Sequence, residues 1–383
     1  MTTPIHGGPE APSDHRIAAL DGLRALAILL VVPHNIDLFR GRPTWAEYPA
    51  IVYMHAGWIG VQLFFVLSGF LITGKLLDTR DRPNYFGAFF ARRAWRILPL
   101  YFAILLAVLV IAPALFEVPT ELRASLHNQV WLWTFLSNWT EPYGIGVHGF
   151  GHFWSLAVEE QFYLLWPLVV LRCAPPRLVR VCVALVVITL ATRTTMALTG
   201  FPHVALYMFT ICRMDALALG AMVAAIVRMP GVMQVFRASA SSVMGTALIT
   251  LAVLALLTRA FDQYSIGSQS VGYTVLACGF AAAVFATALP AAGWSSELMK
   301  LLAARPLALI ARYSYGMYVI HMPLHIFVGV PLLNRFYPVV TANVGFVYDL
   351  IMLIVVFLLA MFSYEFFERR FLQTQRSPVP NAA

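Results

Sequence analysis

The chain has 383 residues, of which 60% are hydrophobic, 13% aromatic and only 11% charged, with a formal net charge of +8. A soluble domain carries about 25% charged residues, so the composition is that of a membrane protein. The basic surplus gathers in particular segments between apolar runs, which makes it a record of topology and not of nucleic-acid affinity.

The first sixteen residues are polar and lack an apolar signal core, and the run that follows carries charges with no small-residue cleavage site. It therefore reads as a retained first span. Apolar windows place spans near 17–39, 56–77, 96–116, 153–172, 179–198, 204–228, 243–260, 270–290, 306–333 and 345–367. The expected fold is an all-α integral membrane protein with about ten transmembrane helices and both termini cytoplasmic. It comprises a tail over 1–16, a membrane domain over 17–370 and a second tail over 371–383. With the N-terminus inside, the inner segments hold seventeen Lys and Arg residues and the outer loops five, a positive-inside bias. The cysteines, Cys173, Cys182, Cys212 and Cys278, have no metal-binding spacing, and neither zinc nor a disulfide is expected.

The first span reads Leu20-Asp-Gly-Leu-Arg-Ala-Leu-Ala-Ile-Leu-Leu-Val-Val-Pro-His-Asn35 and so carries Asp21, Arg24 and His34. Ionisable groups at membrane depth are costly and usually face a bundle interior. A neutral His34 is suited to take a proton from a hydroxyl near neutral pH. Arg24 lies ten residues earlier, about 15 Å along the axis and roughly 80° around it, so a direct contact is not expected. The bland alternative is a histidine at headgroup level above a snorkelling arginine. The second span, Gly57–Gly74, carries glycines and Ser68 that suit close helix packing, with Gln62 as a further polar residue.

Before the third span stand Arg92, Arg93 and Arg96. Arg92 and Arg96 share a helix face with Arg93 beside them, a guanidinium cluster able to grip phosphate or, more simply, to anchor the span. The run 130–139 is too short to cross a bilayer and reads as interfacial, with Trp131, Trp133 and Trp139 as belt residues. The fourth span opens His152-Phe-Trp-Ser-Leu-Ala-Val-Glu-Glu-Gln-Phe-Tyr163, and Glu159 and Glu160 point about 100° apart. At least one should meet a buried cation, with Arg24, Arg193 or Arg213 as candidates. Arg213 and Asp215 are two apart and should pair with other helices. His321 and His325 are four apart, and hydrogen-bonded packing suits them better than a metal.

Six segments, taken in order, resemble the acyltransferase 3 family of membrane O-acyltransferases. They are Asp21-Gly-Leu-Arg24 with His34, Phe64-Phe-Val-Leu-Ser-Gly-Phe70, Arg92-Arg-Ala-Trp-Arg-Ile-Leu-Pro99, Trp154-Ser-Leu-Ala-Val-Glu-Glu-Gln-Phe-Tyr163, Arg213-Met-Asp-Ala-Leu-Ala-Leu-Gly220 and Ser314-Tyr-Gly-Met-Tyr-Val-Ile-His321. The resemblance implies an enzyme of the bacterial cytoplasmic membrane that moves an acyl group, acetyl foremost, from cytoplasmic acyl-CoA to a hydroxyl of a sugar, glycan or glycosylated metabolite. Acyl-CoA is then a co-substrate, and neither a metal nor nucleic acid is expected. Arg24 and His34 would be catalytic with Glu159 or Glu160 in support. Arg92, Arg93 and Arg96 would face CoA, while Asp21, His152, Trp154, Ser155, Arg213, Asp215 and His321 would hold substrate or structure. Arg24 and His34 are one residue closer than the family's usual spacing, which Pro33 is positioned to offset. The C-terminal hydrolase-like domain of many relatives is not expected. A transporter or flippase, or a glycosyltransferase using a lipid-phosphate sugar, are the alternatives from other classes.

Overall fold

The computed structural model describes residues 14–38, 48–236, 238–257, 262–290, 293–337 and 342–373, and every regular element among them is helical. Ten helices form the frame: α1 (Asp14–Ile36), α2 (Ile59–Thr79), α3 (Tyr85–Leu105), α4 (Trp154–Arg172) and α5 (Pro175–Leu198), then α6 (Met214–Ile226), α7 (Ala240–Leu257), α8 (Tyr273–Ala288), α9 (Arg305–Leu324) and α10 (Ala342–Ser363). Each lies at one of the ten apolar windows. By length and apolarity, however, seven are able to cross a membrane, or eight if one bent pair counts as a single span. α4 falls short because Glu159, Glu160 and Gln161 interrupt its apolar run. α6 has only 13 residues, and the chain then turns by 96° into Pro230–Phe236. α7 is also short of a full span. The 130–139 run forms only short turns.

α6 sits at the centre. Its small residues Ala216, Ala218, Ala221, Ala224 and Ala225 are buried, and apart from Asp215 it is apolar on all sides, as suits a helix surrounded by protein. It meets α2 so closely that a Cβ on Gly220 would strike the carbonyl of Val66, and one on Gly69 the carbonyl of Leu217. Such backbone contact is how helices gain dispersion energy where lipid offers no hydrophobic drive. α2 runs antiparallel to α1: Gly60 lies on Ala27 and Val31, and Gly57 on Leu30 and His34.

A buried ion pair anchors α5 to this centre. Arg193 Nη1 donates to Asp215 Oδ2 at 2.9 Å, and its other donors reach the Gln269 carbonyl at 2.7 Å and Thr274 Oγ1 at 2.6 Å. Both side chains are fully buried. Low dielectric makes such a pair worthwhile only when its other donors and acceptors are satisfied, as here. Asp215 thus pairs with another helix, as its spacing from Arg213 requires. Arg228 closes a second clamp, donating Nε and Nη2 to the two oxygens of Asp78, each at 2.8 Å.

Candidate active site

α1, α2, α3, α4 and α9 enclose a cavity of about 300 Å³. Arg24 enters from α1, Ser68 from α2, Arg93 and Arg96 from α3, Ser155, Glu159 and Tyr163 from α4, and Ser314, Tyr315 and Tyr318 from α9. Three guanidiniums face one carboxylate on its wall, so the lining carries a net positive charge and attracts anions. Arg96 is enclosed by neighbouring groups, yet much of its surface is accessible because that surface opens into the cavity.

Arg24 and Arg93 are held by neighbouring side chains. Arg24 Nη1 donates to Asp21 Oδ1 at 2.7 Å, one turn earlier on the same helix. The Arg93 guanidinium lies 5.0 Å from the centre of the Tyr163 ring, and Tyr163 in turn shares a hydrogen bond with Ser68. Glu159 lies beside Tyr163 and Ser68 and within the field of Arg93 and Arg24. It closes no ion pair among the described residues, and the cations expected to meet it are otherwise engaged: Arg24 holds Asp21 and Arg193 holds Asp215. Arg213 has no hydrogen bond among the described residues and lies among aromatic rings.

Not all of the sequence candidates reach this cavity. Arg92 is absent from the wall although it shares a helix face with Arg96: α3 turns the arc through Arg96, Arg93 and Ile97 toward the cavity and leaves Arg92 at the edge of that arc. Glu160 also lies off the wall, and its Oε1 is buried with no hydrogen bond among the described residues. His34 does not line the cavity either. α1 continues as a helix through Pro33. From the antiparallel register of α2, His34 stands about 10 Å beyond the level of Val61, the first α2 residue on the cavity wall. Its Nδ1 donates to the Met54 carbonyl at 2.8 Å, and Nε2 has no hydrogen-bond partner among the described residues. That bond fixes the neutral tautomer, leaving the lone pair on Nε2.

A polar column joins the cavity to the His34 end of α1. Ser155 Oγ and Tyr318 Oη, both on the cavity wall, are 2.6 Å apart, and Tyr318 also donates to the His152 carbonyl. His321 Nδ1 donates to the Tyr318 carbonyl at 2.7 Å, which leaves Nε2 to accept from Asn35 Nδ2 at 3.0 Å. The buried His152 ring stands 4.8 Å from that of His321, and Trp154 meets Phe65 edge-on at 5.9 Å. His152 lies in the turn before α4 and packs on α9, while Glu159, two turns on, faces the cavity. His325 bonds to Tyr348 at 2.7 Å, so it and His321 serve different partners. No group of metal ligands is found among the described residues.

Sequence reasoning missed Tyr163, Ser314, Tyr315, Tyr318 and Asn35 as part of this assembly. A signal was present: Ser155, Glu159 and Tyr163 recur every four residues and therefore share one face of α4.

The acyltransferase 3 family model, described as an acyltransferase domain, matches residues 17–365. The chain is 27% identical over 328 residues to the peptidoglycan O-acetyltransferase OatA of Listeria monocytogenes, covering 80% of this chain and 49% of that protein. It is 28% identical over 371 residues to the O-acetyltransferase OatA of Staphylococcus aureus, covering 93% of this chain and 57% of that protein. The chain thus spans about half the length of the curated relatives it matches. No solved structure matches.

Proposed function

The chain belongs to the acyltransferase 3 family, and on that footing we propose that it transfers an acetyl or other short acyl group from cytoplasmic acyl-CoA to a hydroxyl of a glycan or glycosylated acceptor. The observation that carries this is the cavity, with Arg24, Arg93 and Arg96 against Glu159 alone, reached between membrane helices. Guanidiniums bind phosphate bidentately, which suits the anionic end of CoA. Both relatives are named as O-acetyltransferases and one as acting on peptidoglycan, which favours a surface glycan as acceptor.

In this mechanism Arg93 and Arg96 hold donor phosphate, and Arg24, braced by Asp21, completes the positive wall. The thioester arm follows the Ser155–Tyr318 column toward His34. His34 Nε2 takes the proton of the acceptor hydroxyl as its oxygen attacks the acyl carbon, then returns that proton to the departing thiolate. Glu159 balances the cationic wall, while Glu160 and His152 shape the protein around the route. We place both termini in the cytoplasm from the distribution of Lys and Arg.

The test is release of free CoA from acetyl-CoA by the purified protein in detergent. Wild type should release it, and His34→Ala should lose at least about 100-fold in rate while still binding CoA. Equal rates in both would remove His34 from the chemistry. A wild type that neither binds nor cleaves acetyl-CoA would sink the donor assignment.

A further inference from the structure

Arg213 is fully buried, and none of its three guanidinium nitrogens has a hydrogen-bond partner among the described residues. Four rings surround it: Tyr273 at 4.6 Å, Tyr207 at 5.1 Å, and Phe65 and Trp154 each at 5.6 Å from ring centre to the guanidinium carbon. Asp215, two residues on, does not pair with it. One Asp215 oxygen takes Arg193 and Thr274, and the other takes the Ala216 amide at 2.9 Å. Arg193 and Asp215 offset each other, so one net positive charge remains, packed against aromatic faces.

Where that charge lies is informative. Phe65 is part of the cavity wall, and Trp154 adjoins Ser155 on the same wall. On the other flank, Tyr273 and Tyr207 pack against Trp58 at 5.1 and 6.1 Å, and Trp58 follows the glycine seated on His34. The guanidinium therefore sits one ring's thickness from the cavity, beside the path to His34. A charge kept out of water, with no hydrogen-bonded counter-ion among the described residues, is only weakly screened over such a distance.

We propose that Arg213 is an electrostatic positioning residue for acyl transfer, a fixed positive charge that favours the negative charge developing on the acyl group. This rests on the function proposed above. As the acceptor oxygen bonds to the acyl carbon, its proton passes to His34 Nε2 and the carbonyl electron pair moves onto the carbonyl oxygen. When the carbonyl re-forms, the carbon–sulfur bond breaks, the charge leaves on sulfur, and the thiolate recovers the proton from His34. Arg213 acts through Phe65 and Trp154 and touches no reacting atom.

The experiment compares wild type, Arg213→Met and Arg213→Lys in detergent. It measures CoA affinity, melting temperature and single-turnover cleavage of acetyl-CoA with water as acceptor. Arg213→Met should bind CoA within about three-fold of wild type yet cleave roughly 100-fold more slowly, the scale of losing one preorganised charge-stabilising group. Arg213→Lys, which keeps the charge, should recover at least about ten-fold of that loss. Cleavage by Arg213→Met near the wild-type rate overturns the proposal, as does Arg213→Lys falling as far as Arg213→Met. If Arg213→Met does not fold, Arg213→Lys decides alone: a rate within about ten-fold of wild type supports the role, and a larger loss with intact CoA binding overturns it. A wild type inert toward acetyl-CoA fails the acyl-transfer function itself, and this role with it. An active wild type with unaffected variants fails only Arg213.

Discussion

Arg92, Arg93 and Arg96 read alike in the sequence, yet only the last two face the cavity. Their chemistry should divide accordingly. Removing one charge-assisted hydrogen bond costs about 1.5–3 kcal/mol, or roughly 10- to 100-fold in affinity. Arg96→Met should weaken CoA binding by that factor, whereas Arg92→Met should stay within about three-fold. Isothermal titration of the purified variants measures both, and equal losses would mean that Arg92 also reaches the donor. The reason the sequence left the three together is geometric. A helix face is legible from spacing, but which face turns inward is set by the helices that pack against it.

Two elements carry sharper consequences. Gly220 on α6 and Gly69 on α2 allow backbone contact that no other residue permits. Gly220→Val should therefore destabilise the protein by about 3 kcal/mol or more, at the upper end of overpacking costs. A melting temperature in detergent equal to that of wild type would show that the α2–α6 contact yields easily. The connection leading into α4 holds Glu141, whose carboxyl packs on Gly146 and Gly151, just before His152. Burial pushes this acid from its ordinary 4.5 up to about 7. A folded-state value above the unfolded one means that stability is full below the unfolded value and is lost as pH rises through about 7. Above that pH the fold must bury a charged carboxylate or release it. Amide exchange across 144–151, corrected for its intrinsic pH dependence, should quicken between about pH 4.5 and 7 in wild type but not in Glu141→Gln. Identical profiles for the two proteins would place the sensitivity elsewhere.

For the whole molecule, the number of spans and the side of the termini are linked. An odd count such as seven sends the two termini to opposite sides, whereas eight or ten returns them to the same side. The arginine distribution predicts that a C-terminal fluorescent reporter shines in the cytoplasm while alkaline phosphatase at the same point is inactive. The reverse pattern would overturn the assigned orientation. The sequence by itself determined that this is a helical membrane protein, where its ten main helices lie, and which polar segments interrupt them, because hydropathy and helical period are local properties. Only the tertiary structure decided that α6 is central, since a helix facing lipid and one facing protein are equally apolar. It also brought Ser68 beside Tyr163 and Glu159, left His34 beyond the cavity end, and isolated Arg213 among four rings. Those placements depend on packing between segments up to hundreds of residues apart, and no local pattern encodes them.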